Sequence, residues 1–313
     1  MKDISRRMVV AGIGALAASA ATGQEASHGT REWQPRTSDD GLIPNFSLEV
    51  IGLEVNGTLG VAVLDTETGR ESGWSENEPF PLNSTFKFLL AGTILRRVER
   101  GQERLDREVS VQSADIVSWS PVVQNAVGGN MSVQSLCHAA MTRSDNAATN
   151  LLLRSVGGPD ALTEALREMG DTVTRIDRFE PEMNDVPPGD PRDSSTPLQM
   201  LKTMELFLLG DDLSSQGKKQ LFAWMVANTT GAARIRAGVP SGWMVGDRTG
   251  TGPRGETATI AAIYPPNRKP LLMTVYIRGS SRGTDVQASA HAELARIATN
   301  NVLLPPYDPY PDD

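Results

Sequence analysis

Between residues 58 and 65 the run TLGVAVLD is almost wholly apolar, and a turn, TETG, separates it from RESGW at 70–74. Short apolar runs bounded by turn residues read as buried strands, so this stretch predicts a strand, a turn and a returning strand. The period then changes to a helical one. Helices are predicted over 84–100, ending at Gly101; over 132–142, after a GGN turn; over 146–156, stopping at Gly157-Gly158; and from Pro159 to 169. Residues 177–197 hold five prolines and too many charges to form core, which predicts a long functional loop. Thr196 and Pro197 then offer an N-cap and a first-turn proline to a helix reaching Gly210. Three β-rich runs, 243–250, 256–264 and 271–279, are separated by GTGPRG and PPNRKP and predict a meander. An amphipathic helix over 285–300 closes the pattern. Strands at both ends with helices between predict an α/β (α+β) fold: one sheet built from both termini, and an all-helical lobe filled by the middle.

The ends read differently. Ser5-Arg6-Arg7, the small and apolar run VVAGIGALAASA and an Ala18-Ser19-Ala20 site predict an export signal over 1–20, with paired arginines of the twin-arginine type. The run is too short and too rich in Ala and Gly for a membrane anchor. A periplasmic or secreted protein is therefore expected. Residues 21–45 are polar and rich in Pro, Gly and Ser, a flexible linker; the folded domain is expected over 46–300, with a tail over 301–313.

Composition narrows the chemistry. With 313 residues, 39% of them hydrophobic, the chain can bury a full core. A net charge of −8 and no basic run alternating with aromatics exclude a nucleic-acid surface. His28, His138 and His291 are far apart and make no zinc spacing, so neither a metal nor another cofactor is expected. The single cysteine, Cys137, lies among Leu136, Ala139 and Ala140 and reads as a small buried hydrophobe.

One feature of the first helix needs a chemical reason. Lys87 sits in PLNSTFKFLL, a run that otherwise reads as buried, where an unpaired charge costs several kcal/mol. It follows Ser84 by three residues, so the two share a helix face, and a serine nucleophile needs such a basic neighbour. Alone, S-x-x-K is a weak signal. Here it is followed by Ser144-Asp145-Asn146 about 60 residues on and by Arg248-Thr249-Gly250 about 100 further, the order of the penicillin-interacting serine enzymes.

With RFEPEMN at 178–184, matching R-x-E-P-E-x-N, and Asp193 as the loop arginine's acidic partner, the chain resembles a class A serine β-lactamase from about residue 46 to 300. The resemblance implies a five-stranded antiparallel sheet with flanking helices beside an all-helical lobe, with the site in the cleft between. It implies Ser84 as nucleophile, Lys87 as its partner and possible base, Ser144 as proton relay, and Glu180 as the residue that activates a water held with Asn184. Asn146 would bind the substrate's amide, and the N–H groups of Ser84 and Thr251 would form the oxyanion hole. Trp119 would stand on the cleft wall, although core packing explains an aromatic there nearly as well. The substrate is a small β-lactam, and a monomer is expected.

Departures from the pattern refine this. The usual lysine of K-T-G is Arg248, planar and bidentate, and R-T-G resembles the carbenicillin-hydrolysing penicillinases. An arginine that some members carry on the next strand is Thr257 here; Arg234 matches the other known location and would share the substrate carboxylate with Arg248. Arg234 with Thr251 is also similar to serine carbapenemases, but their disulfide positions are Asn83 and Gly252. Two other functions fit the serine motifs: a D-Ala-D-Ala peptidase or transpeptidase, which lacks the loop glutamate, and a non-hydrolysing penicillin sensor, which needs a membrane segment or effector.

Overall fold

The computed structural model describes residues 41–304. The expected export signal over 1–20 and nearly all of the linker and tail fall outside the described residues. The elements begin with helix α1 (Asn45–Val55), strands β1 (Thr58–Asp65), β2 (Glu71–Trp74) and β3 (Phe80–Pro81), and the central helix α2 (Phe86–Glu99). Strands β4 (Glu108–Ser110) and β5 (Asn130–Ser132) precede helices α3 (Val133–Arg143), α4 (Asn146–Val156) and α5 (Pro159–Glu168). After β6 (Ser194–Ser195) come α6 (Pro197–Leu208), α7 (Ser215–Val226) and the short α8 (Ile235–Gly238). Strands β7 (Met244–Thr251), β8 (Thr257–Tyr264) and β9 (Leu271–Arg278) and helix α9 (Thr284–Val302) complete the chain.

The main sheet has five strands in the order β2-β1-β9-β8-β7, every pair antiparallel. Strands from the two ends of the chain thus meet at β1–β9, as the sequence pattern implied. β1 is buried along nearly its whole length because both sheet faces are covered, which is why TLGVAVLD is an apolar run and not an alternating one. On one face Val61, Val63, Met273 and Val275 pack with Leu48, Ile51 and Val55 of α1 and Leu294, Ala295 and Ala298 of α9. On the other, α6 lies against β1 and β9, and Thr274 Oγ1 donates to Pro197 O at 2.9 Å.

The helical lobe surrounds α2, whose residues from Phe86 to Arg96 are all buried. Helices hydrophobic all round are core helices. Phe88 meets Phe207 of α6 edge-on at 5.8 Å, and a Cβ at Gly92 would lie 2.8 Å from the same ring. Cys137 is fully buried on α3, and burial pushes its thiol up. Among the described residues no helix is long and apolar enough to cross a membrane.

Three boundaries differ from the sequence expectation. Helix α1 stands at the start of the expected domain, where no element was assigned: Leu48, Ile51 and Val55 face α9, but Gly52 and the shortness of the run weakened the signal. Ser84 precedes α2, in a single 3-10 turn (Asn83–Thr85) entered through a left-handed Asn83. Helix α9 continues to Val302, so the chain leaves the domain later than 300.

Helix α8 crosses α9 at one glycine. A Cβ on Gly238 would lie 1.8 Å from the carbonyl oxygen of Ala292, a backbone atom that cannot swing aside. Gly238→Ala is expected to cost about 1–3 kcal/mol, read as a lower urea midpoint at unchanged slope.

Candidate active site

The cleft, roughly 340 Å³ in volume, lies between the helical lobe and β7. Four segments bring its side chains together. The 3-10 turn carries Ser84, and α2 carries Lys87 one turn later, so that Lys87 Nζ donates to Ser84 Oγ at 2.7 Å. Ser144 caps the end of α3 in the left-handed conformation, which turns its hydroxyl toward Ser84 at 3.0 Å. The 177–196 loop adds Glu180 and Asn184. Strand β7 adds 248–251.

Lys87 has three ammonium hydrogens and three short partners: Glu180 Oε1 at 2.6 Å, Ser84 Oγ at 2.7 Å and Asn146 Oδ1 at 2.8 Å. Ser144 Oγ lies further out at 3.2 Å. Burial pulls the lysine's pKa from 10.5 to about 8, with the Arg248 charge adding to the fall and Glu180 opposing it. In this arrangement the group acts as a donor to all three oxygens. Glu180 is only 1% exposed; its second oxygen, Oε2, accepts from Asn184 Nδ2. Asn184 Oδ1 is buried without a hydrogen-bond partner.

The S-D-N segment serves three purposes. Asp145 is its anchor: Oδ1 accepts Ala148 N, capping α4, while Oδ2 accepts the N–H groups of Val122 and Val123. That fixes the loop bearing Trp119, whose carbonyl accepts Asn146 N at 2.9 Å. Asn146 gives Nδ2 to Ser118 O at 2.9 Å, and the amide's second hydrogen remains available to the cleft. Trp119 is 64% exposed, its ring N–H tied to Arg143 O at 3.0 Å; it is a wall residue and not part of the core.

Strand β7 presses directly on the turn that carries Ser84. A Cβ at Gly250 would lie 2.7 Å from Asn83 Cβ and 3.0 Å from Ser84 N, so this position must be glycine for the strand to reach the serine. Thr249, Gly250 and Thr251 line the cleft with Ser84, Ser144, Asn146, Asn184 and Arg234. Lys87, Glu180 and Arg248 do not; they stand behind that surface. Arg248 is fully buried, donates through Nη2 to Ser144 Oγ, and has burial holding its pKa down at about 10. The two arginines thus differ in place. Arg234 reaches the cleft, with Nη1 on Gly250 O (2.7 Å) and Ala258 O (2.8 Å) and Nη2 on Thr251 Oγ1 (2.7 Å); burial brings it to about 10 as well.

Sequence reasoning missed two contributors. Thr230 lines the cleft and shares a 2.5 Å contact between hydroxyls with Thr249. No local pattern distinguishes it. Asn150, four residues after Asn146 on the buried face of α4, clamps Glu180 from both sides: Oδ1 accepts Glu180 N at 2.9 Å and Nδ2 donates to Glu180 O at 2.8 Å. Its polar side chain on an apolar helix face was the available signal. The loop's root is held by Arg178 on Asp193 at 2.6 Å, the partners expected from the sequence.

A family model described as the β-lactamase enzyme family matches residues 47–302. An ancestral class A β-lactamase (GNCA) is similar at 50% identity and TM-score 0.80, covering 82% of this chain and 98% of that one. A class A β-lactamase of the last common ancestor of Gram-negative bacteria is similar at 50% identity and TM-score 0.81, covering 82% and 98%. A β-lactamase from Xanthomonas campestris pv. campestris is similar at 42% identity and TM-score 0.80, covering 82% and 96%.

Replacing Asn150 by Ala leaves a buried N–H and a buried C=O of Glu180 without partners. The expected cost is about 1–3 kcal/mol for each group that water cannot reach, measured by urea unfolding. A variant as stable as the parent would show that the clamp is not what holds Glu180.

Proposed function

The chain belongs to the class A β-lactamase family, and on that premise we propose how its own residues open a β-lactam ring and release the product. It is a serine hydrolase acting on a cyclic amide. The observation that carries the residue assignment is the placement of Lys87 between Ser84 and Glu180, at 2.7 and 2.6 Å, with Asn184 on the carboxylate's other oxygen.

Ser84 Oγ attacks the lactam carbonyl carbon. Lys87 and Ser144 both donate to that oxygen, so its own proton is directed away from them, toward Glu180 by way of a water. The N–H groups of Ser84 and Thr251 receive the developing oxyanion, each such donor contributing about 3–4 kcal/mol. The C–N bond then breaks; the nitrogen takes its proton from Ser144, whose hydroxyl is oriented by Arg248 and Lys87, and Ser144 regains one from Glu180 through Lys87, which leaves Glu180 a carboxylate again. In the second step Glu180 takes a proton from a water beside Asn184 Oδ1. That water attacks the ester, and Ser84 leaves with its proton restored.

We assign the ring carboxylate to Arg234, Thr249 and Thr251 on the cleft wall, with Arg248 adding charge from behind. Penicillin-type substrates are favoured by the R-T-G sequence, which resembles the carbenicillin-hydrolysing branch. The N-terminal arginine pair and A-x-A site support export of a monomeric enzyme to the periplasm or medium. The peptidase and sensor alternatives are not favoured, because Glu180 and Asn184 form a built site for deacylation.

Changing Glu180 to Gln removes the base while leaving Ser84 and its oxyanion donors. General-base assistance contributes about 100- to 10,000-fold, so the variant should stall as a penicilloyl ester. Intact-protein mass spectrometry minutes after mixing with benzylpenicillin should show protein plus one penicillin mass, and none on wild type at steady state. Near-normal turnover without an adduct would make Glu180 an ordinary loop charge.

Arg234→Ala should lower kcat/KM by about 1.5–3 kcal/mol for a substrate with a free carboxylate, through loss of charge-assisted hydrogen bonds. An esterified substrate should barely notice. Equal losses on both would mean that Arg234 only braces β7 and β8.

A further inference from the structure

The residue before Ser84 carries a side chain that the reaction does not use. Asn83 is fully buried and left-handed at φ 45°, and neither its Oδ1 nor its Nδ2 has a hydrogen-bond partner. Buried amides are almost always paired, so two free atoms on one residue need a reason.

The other side of the contact is the end of β7. A Cβ on Gly252 would lie 2.7 Å from Asn83 Oδ1 and 2.6 Å from Glu256 Oε2, so the two oxygens flank the same glycine. Glu256 is itself only 4% exposed. Its Oε2 accepts Arg254 N at 2.6 Å, and its main-chain carbonyl accepts Gly252 N at 3.0 Å. Asn83 is joined to Ser84 in the chain, and Gly252 to Thr251. The N–H groups of Ser84 and Thr251 are the oxyanion donors of the proposed function, on which this inference rests. Asn83 and Glu256 thus meet within one residue of both donors.

An ionised carboxylate only accepts hydrogen bonds, and so does Oδ1, whereas a protonated carboxyl can donate one. We propose that Glu256 and Asn83 are positioning residues of the oxyanion hole, joined when Glu256 takes a proton from solvent and donates a hydrogen bond to Asn83 Oδ1. In that state the Ser84 turn and the end of β7 are tied together. With Glu256 ionised, two acceptors face each other and the contact loosens. Burial favours the proton, since it raises the pKa of Glu256; Arg254 in its own turn opposes the rise, and Asp185 on the 177–196 loop adds to it. The remaining neighbours are uncharged: Asn83, and Ser280, whose N–H reaches Gly255 O at 3.1 Å.

Glu256→Gln tests the pair, because its neutral amide can accept Arg254 N and donate to Asn83 Oδ1 at every pH. Asn83→Gly removes the amide and leaves the left-handed backbone open. For wild type, both variants and the double variant, kcat and KM for benzylpenicillin and the urea midpoint are measured from about pH 5 to about pH 8. A carboxyl whose folded pKa is raised contributes stability that is lost as pH climbs from the ordinary glutamate range through the raised value. The midpoint of Glu256→Gln should therefore rise relative to wild type across the range. The kcat ratio, Gln variant over wild type, should climb from near one to about three- to tenfold, the scale of one hydrogen bond. KM should change little, because the oxyanion forms only on the way to product. On the Asn83→Gly background the same Gln change should leave the kcat ratio flat with pH.

A flat ratio in the presence of Asn83 overturns the proposal, as does a midpoint that shifts while kcat does not, which would make the pair structural only. A ratio that falls with rising pH overturns it as well, since the ionised carboxylate would then be what holds the amide. So does a ratio indifferent to Asn83→Gly, because Glu256 would then act alone. In each of these cases wild type still forms its acyl-enzyme. A wild type that never acylates removes the β-lactamase reading first, and this role with it.

Discussion

A buried ammonium group organises this protein. Lys87 lies on a helix whose surroundings are otherwise apolar, and an unpaired charge there would cost several kcal/mol. It is held by oxygens from three other places in the chain: Ser84 before the helix, Asn146 at the start of α4, and Glu180 on the loop. Each contact constrains a different segment, so satisfying one charge fixes the relative positions of Ser84, Asn146 and Glu180. Burial also brings its pKa down to about 8, close enough to neutrality for the proton to move during a reaction.

The scaffold around that charge is built from pairs of clamps that do no chemistry. Asp145 joins α4 to the Trp119 loop, Asn150 joins α4 to the backbone of Glu180, and Asp193 gathers Arg178 and two loop N–H groups. Each replaces hydrogen bonds that an irregular segment cannot make with itself. The 177–196 loop can thus be long and without regular structure over most of its length, and still present Glu180 at a fixed distance from Ser84.

Charge in the cleft is unevenly arranged, and that matters for what enters it. Arg248 and Arg234 are both held near a pKa of about 10 by burial, and the charge of Arg234 adds to the fall at Arg248. Behind them, buried Asp247 accepts from Asn228 and pairs with Arg236 at 2.7 Å. A cleft that keeps two desolvated guanidinium groups beside a lysine favours an anion, and a ring carboxylate would take the place of the lost hydration. On the next strand, Thr257 is occupied with Gln287 and His291 and adds no charge.

How much of this could be read from the chain alone depended on whether the information was local. The strands at 58–65 and 257–264, the helix at 146–156 and the motif serines, lysine and glutamate were all legible, because periodicity and short spacings record local geometry. Helix α1 was not, since its burial depends on α9 at the far end of the chain and its own propensity is weak. The roles of Asn150 and Thr230 were hidden for the same reason: the groups they bond lie 30 and 19 residues away. Sequence order placed Arg234 and Arg248 in one functional class. Only tertiary packing separated them, sending Arg234 to the cleft wall and burying Arg248 behind Ser144, because which face of a strand or loop meets the cleft is decided by what packs against the other face.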